Sequence, residues 1–296
     1  MTLAALHIAL IQGGVRVAPP APLGVEAMVL GRSAEEAAEM LPRLFNLCRA
    51  AQETGARMAL GLPARPGVTE ALAQEILREH LMRLFVLWPR RLGLAPTRLP
   101  DADDLRAAVF GPAGGLPDPG GLDGWLASGS GVAPVLNAIA RAFAPGEAVA
   151  DLPAPRPDTL CRAVAQENSP WSRHRDAALL HSAEQRFGRG PLWRALGRLV
   201  DLDACARGTL DCAPRKIDGT CYVHAARGTY TLSARLVEGR VAAFVRHTPT
   251  EHLLAPGGAL EQALAGLPPA KAHLAPLLVD ILDPCLPVEI TEAAHA

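Results

Sequence analysis

Six cysteines, at positions 48, 161, 205, 212, 221 and 285, are the side chains here best suited to chemistry. A thiolate is a soft ligand that selects iron, copper or zinc, and it is also a nucleophile. Cys48 and Cys285 stand in the most distinctive settings. Cys48 closes the stretch Arg43-Leu44-Phe45-Asn46-Leu47-Cys48, while Cys285 lies in Asp283-Pro284-Cys285-Leu286-Pro287, a stiff, turn-like segment that is an odd place for a core thiol. The commonest fate of a free cysteine is to be a small buried hydrophobe, and for Cys48 that reading stays open. No C-x-x-C occurs, and the gaps separating Cys205, Cys212 and Cys221 are wider than structural zinc sites use. A thiol enzyme could pair Cys48 or Cys285 with one of nine histidines, but no nucleophile signature surrounds either cysteine.

These residues need elements to position them. Alternation over Leu3 to Ile11, a Gly13-Gly14 turn and Val15-Arg16-Val17 predict an antiparallel hairpin within residues 1–18. Ser33 with Glu36 three residues on is a capping box, so a helix starts at Ser33. Ala37, Leu41, Leu44 and Cys48 follow on one face, which carries that helix to Cys48 with its thiol inward and a kink at Pro42. A long amphipathic helix runs from Thr69 to Trp88 and stops at Pro89, with His80 on its apolar face as a hydrogen-bonded core residue. Residues 112–121 read as a loop, and helices over Val132 to Phe143, Thr159 to Gln166 and Leu192 to Val200 complete a helical core spanning 33–204. Thr220 to His224, Thr229 to Leu236 and Val241 to His247 predict a small antiparallel sheet within 220–248. Two helices, Gly258 to Ala265 and Ala270 to Leu282, fill 257–296 and deliver the Cys285 segment. The expected fold is mainly α with small antiparallel β-sheets (α+β), in one domain over 1–296.

Composition narrows the function classes. With 296 residues, 49% hydrophobic, and a net charge of -1, the chain can bury a sizeable core and carries no basic block interleaved with aromatics. A nucleic-acid partner is therefore not expected. The apolar start is too short and too polar for a signal peptide or a spanning helix, which points to a cytoplasmic protein without membrane association whose cysteines are thiols.

Several separated stretches, taken in order, carry a resemblance. They are Leu23-Gly24-Val25-Glu26, Gly31-Arg32-Ser33-Ala34-Glu35-Glu36-Ala37, the Arg43 to Gln52 run, Ala225-Ala226-Arg227-Gly228, Thr248-Pro249-Thr250-Glu251-His252 and Asp283-Pro284-Cys285-Leu286-Pro287-Val288. In that order the chain resembles the large subunit of nickel-iron hydrogenases, and more closely the shortened HupK/HoxV-type hydrogenase maturation proteins. The resemblance implies a reduced large-subunit-like helix bundle in which the helices ending at Cys48 and at Leu282 bring Cys48 and Cys285 together.

In the enzyme four cysteines bind nickel, and two of them bridge to an iron carrying cyanide and carbon monoxide. Here Phe45 and Val288 stand where two of the four would be, Gln52 and Thr291 replace the motif histidines, and Leu23 replaces the arginine of Arg-Gly-x-Glu. Nickel has lost its ligand set, so neither nickel nor hydrogen turnover is expected. Two thiolates suit an Fe(CN)2CO fragment, which brings three ligands of its own. By the same resemblance Arg227 and Thr250, with Pro249 beside it, match positions that hydrogen-bond cyanide, and Glu26 matches a proton-relay glutamate. The commonplace alternatives are a surface salt bridge for Arg227 and a turn-forming hydroxyl for Thr250.

The resemblance therefore implies an assembly scaffold that is not an enzyme. It would hold the fragment transiently and exchange it with HypC/HypD-type chaperones and a hydrogenase large subunit. Because Thr291 stands at the processing position and five residues follow, no tail is expected to be removed, and an open C-terminus should persist beside Cys285. The rival reading is a metal-free interaction module that binds maturation chaperones through a large-subunit-like surface.

Overall fold

Alternating apolar residues build the first sheet. Leu6–Ile11 (β1) pairs antiparallel with Gly14–Ala18 (β2), as the hairpin pattern predicts, with Ile8 opposite Val17. The computed structural model describes residues 5–11, 14–21, 24–44 and 47–292, so the turn at Gly13, the start at Leu3 and the substitutions at Leu23 and Phe45 lie outside the described residues.

Val25–Val29 (α1) leads to Ala34–Leu44 (α2), where Ser33 Oγ accepts from Glu36 N at 3.2 Å and Glu36 Oε2 accepts from Ser33 N at 3.0 Å. The capping box is thus formed. The helix expected to reach Cys48 ends instead at Leu44, and Cys48 heads the next helix, Arg49–Ala59 (α3). Pro42 sits inside α2 without stopping it, since Arg43 and Leu44 continue the helix past it.

Val68–Met82 (α4) does not stop at Pro89. It widens through a π-helical stretch, Arg83–Leu87, into Trp88–Arg91 (α5), whose first turn accepts Pro89 because an N–H is dispensable there. Short helices Leu105–Phe110 (α6), Leu122–Ala127 (α7) and Ala133–Ala142 (α8) follow. The helix expected over 159–166 shrinks to Pro157–Leu160 (α9). After Ala178–Phe187 (α10) comes Pro191–Ala206 (α11), buried on nearly every side and so the central helix of the molecule.

The second sheet has the order β3-β4-β5-β6, built from Arg215–Ile217 (β3), Thr220–Ala225 (β4), Gly228–Val237 (β5) and Arg240–His247 (β6), all antiparallel. Its β4 to β6 part is the predicted sheet; β3 is an addition. The chain ends with Pro249–Leu254 (α12), Ala259–Ala265 (α13) and Ala275–Leu282 (α14), then Val288–Glu292 (β7). The expected helix from Ala270 is a 3-10 turn, Pro269–Leu274, followed by α14.

The segment after Cys285, expected to stay open, is β7, which lies parallel to β1 and makes the first sheet β2-β1-β7. Val288 and Ile290 pack on the core through it, so this ending is held by apolar burial as well as by strand pairing. One hydrophobic cluster surrounds α11 with Trp88 and Trp193, and a second joins α2 and α3 to β4 to β6.

Candidate functional site

Cys48 is fixed by its surroundings. Its backbone is left-handed (φ 54°, ψ 40°), and among the described residues only four other non-glycine residues have positive φ, one of them Asp283. Non-glycine residues held in that region cost free energy and persist where the surroundings impose them. The imposing contacts are visible: Glu75 of α4 accepts from Ala50 N at 2.7 Å and Ala51 N at 3.3 Å, capping the first turn of α3 with a carboxylate. Gly55 lets α3 close on β5, since a Cβ there would fall 2.3 Å from Leu232 Cδ1. The thiol is consequently buried against Tyr230 and Arg227, whose Nη1 donates to Cys48 Sγ at 3.3 Å.

Arg227 is carried at the turn into β5 by Gly228, at φ 139°, where a Cβ would fall 2.5 Å from the Asn168 backbone oxygen. Asn168 clamps that turn, its Oδ1 accepting from Thr229 N at 2.8 Å and its Nδ2 donating to Thr229 O at 2.8 Å.

Cys285 follows a second imposed turn. Asp283 caps α14 in the left-handed region (φ 59°, ψ 56°), and its buried carboxylate takes Arg83, Arg198 at 2.8 Å and Arg227 at 3.1 Å. Three guanidiniums outweigh the burial that would protonate it and hold its pKa below the usual carboxylate range. Thr248 caps α12 by accepting from Glu251 N at 3.2 Å, Pro249 takes the first helical position, and Thr250 Oγ1 then accepts from Cys285 N at 3.0 Å. Both cysteine segments therefore converge on Arg227, Cys48 through its sulfur and the Cys285 segment through Asp283.

Burial pushes the Cys48 thiol up to about 12, against the pull of Arg227 in the other direction, and burial raises Cys285 too. Both therefore keep their protons at neutral pH until a cation displaces them. Behind them a polar chain leads into α11. Arg227 pairs with Glu79 at 3.1 Å, Arg198 Nη1 lies 3.4 Å from His80 Nδ1, and His80 Nε2 lies 2.6 Å from Asp201, which Arg173 grips with two hydrogen bonds. His80 is the hydrogen-bonded core residue expected, and burial lowers its pKa.

The structure thus brings Cys48, Cys285, Arg227 and Thr250 together, with Pro249 at the base of Thr250. Arg227 is no surface salt bridge, its side chain being 2% exposed. Glu26 stands further out, 41% exposed and 4.0 Å from Arg246 across a cleft that also reaches Cys285. Gln52 is buried in that cleft wall with Oε1 unpartnered. Sequence reasoning missed Asp283 as an anchor and missed Arg83, Glu79, Arg198 and Asp201. The last two carried a signal, because Arg194, Arg198 and Asp201 recur at i, i+4 and i+7, which puts a charged stripe on an otherwise apolar helix.

Cys205, Cys212 and Cys221 do not assemble a metal site. Among the described residues no group of three or more His, Cys, Asp or Glu side chains could hold a metal.

No family model matches the chain. It is 53% identical over 99% of both chains to the hydrogenase expression/formation protein HupK of Rhodobacter capsulatus. It is 36% identical to the hydrogenase expression/formation protein HoxV of Cupriavidus necator over 27% of this chain and 22% of that one. Its fold is similar to NiFeSe hydrogenases: a structure from Desulfovibrio vulgaris Hildenborough in the reduced state (TM-score 0.55, 13% identity, 92% of this chain and 93% of that one) and a reduced, active form from Desulfomicrobium baculatum (TM-score 0.55, 12% identity, 92% and 93%). At those identities the likeness concerns the fold.

Proposed function

The chain belongs to the HupK family of hydrogenase expression/formation proteins, and on that premise we propose that it is a scaffold in hydrogenase maturation, holding an Fe(CN)2CO fragment between Cys48 and Cys285 for transfer to a hydrogenase large subunit. The observation that carries the reading is the convergence of both cysteine segments on one buried arginine. Any metal held here draws on two thiols and on ligands it brings itself, which is the need of an iron already carrying two cyanides and a carbonyl. Arg227 and Thr250 supply hydrogen-bond donors in a site where an unpaired cyanide nitrogen would be costly. Loading exchanges two thiol protons for one iron, and the cationic surroundings of Asp283 offset the anionic complex that results. The donor is a chaperone of the HypC/HypD type. The protein acts as an accessory and not as an enzyme, because the donor set lacks the four thiolates that nickel takes in the large subunit. Among the described residues no helix is long and apolar enough to cross a membrane.

Infrared spectroscopy of protein purified without oxygen tests this. Bands in the cyanide and carbonyl stretching regions, accompanied by iron, are expected. A metal-free protein that still captured the maturation chaperones would overturn the scaffold in favour of an interaction module.

A further inference from the structure

Cys285 and Leu286 line two clefts, and among the described residues these two are all that the clefts share. The larger, about 700 Å³, carries Arg83, Arg91 and Arg227 in its wall with Asp280 and Asp283, three guanidiniums against two carboxylates. The smaller, about 410 Å³, carries Glu26 and Glu251 with Arg246, two carboxylates against one guanidinium, among apolar side chains such as Val25, Tyr230 and Leu254. The two walls therefore have charge of opposite sign. Cys48 lines neither cleft, but Leu47 and Arg227 line the first and Gln52 and Tyr230 line the second.

We propose that the Cys285 sulfur is reached by two separate routes: an anionic metal complex comes in along the arginine-lined cleft, and the apolar, acid-rimmed cleft is a second way to the same atom for neutral or cationic groups. The first wall attracts an anion and the second repels one, and charge of one sign in a cleft selects what approaches through it. A scaffold with two mouths can be loaded at one while its acceptor is already engaged at the other, so donor and acceptor need not take turns. The assignment of the anion as iron cargo rests on the scaffold reading; the two routes do not.

The test uses metal-free full-length protein and two methanethiosulfonate reagents, one ending in a sulfonate and one in a trimethylammonium group. The rate of mixed-disulfide formation at Cys285 is followed by peptide-resolved mass spectrometry. Arg91 lines the first cleft alone and Ala163 is an exposed residue of the second, so R91Q removes charge from one mouth and A163W plugs the other. R91Q should slow the anionic reagent on the order of threefold and leave the cationic one unchanged. A163W should slow the cationic reagent about tenfold and spare the anionic one. A21W, at another exposed lining residue, repeats the plug should A163W misfold by circular dichroism. Either variant slowing both reagents alike, or neither variant slowing any, would overturn the two routes. Because no iron is used, an empty scaffold in the infrared experiment leaves this result intact.

Discussion

Arg227 Nη1 lies 3.3 Å from Cys48 Sγ, 179 residues earlier in the chain, and the same guanidinium reaches Asp283, two residues before Cys285. One buried cation therefore ties the two cysteine segments together, in a site where each thiol alone is a poor ligand because burial favours its protonated form. The fold brings the pieces together from α3, the turn into β5 and the end of α14, so none of the contacts is local in sequence.

If Cys48 and Cys285 hold iron jointly, serine at either position should empty the site almost as fully as serine at both, since ligands acting as a unit are not additive. Iron content and the cyanide bands of C48S, C285S and the double variant measure this. Serine at Cys161, Cys205, Cys212 or Cys221 should leave iron bound. Loss of iron from one of the last three, with retention in C48S, would move the site to the second sheet.

Arg227→Ala should have a larger effect than its matching motif alone suggests. A solvated hydrogen-bond donor could be replaced by water, but this side chain is 2% exposed and compensates Asp283 and Glu79. Removing one partner of a buried charge network costs about 3–5 kcal/mol. Denaturant unfolding of the metal-free protein should show a loss of that order, with Arg227→Lys intermediate. An unchanged midpoint would show that water enters the site freely.

Much of this was legible in the sequence because it is local: the Ser33 to Glu36 capping box, the first hairpin and the sheet over 220–248 follow from patterns a few residues long. The positions of Cys48 and β7 were not. Cys48 continues the helical spacing of Ala37, Leu41 and Leu44, and periodicity cannot report that it stands instead in a left-handed conformation at the head of a separate helix. Strand β7 pairs parallel with β1 from the other end of the chain, and a parallel partner leaves no turn signal between the strands. The motif frames singled out the cysteines, Arg227 and Thr250, which the fold places together, while Asp283, Arg198 and Asp201 are joined to them by burial, which sequence spacing only hints at.

Asp283→Asn separates charge from backbone. Asparagine adopts the left-handed conformation found at φ 59° readily, so the turn into Cys285 should survive. The three guanidiniums would lose their shared carboxylate, and the expected cost is again about 3–5 kcal/mol. A crystal structure of D283N should show the turn retained alongside reduced stability. Stability unchanged from wild type would mean that anions from solvent already screen the arginines.

The raised thiol pKa of Cys48 makes both stability and metal uptake depend on pH, in opposite directions. An unfolded cysteine ionises near 9, whereas folded Cys48 holds its proton to about 12, so its contribution is fully present below 9 and is lost as pH rises from 9 through 12. The full loss is worth roughly 4 kcal/mol at about 1.36 kcal/mol for each pKa unit. Cys48→Ala should flatten the stability curve across that window while leaving it unchanged below pH 9. Metal uptake runs the other way, because both thiols must give up protons to bind. Below pH 9 the apparent affinity for a thiophilic probe ion such as Co²⁺ should climb with pH, approaching a hundredfold for each unit if two protons leave together and tenfold if only one does. Titrating Co²⁺ through its thiolate charge-transfer absorption at several pH values gives the slope. A slope of one in wild type, unchanged in C48S, would show that Cys285 binds the ion without Cys48.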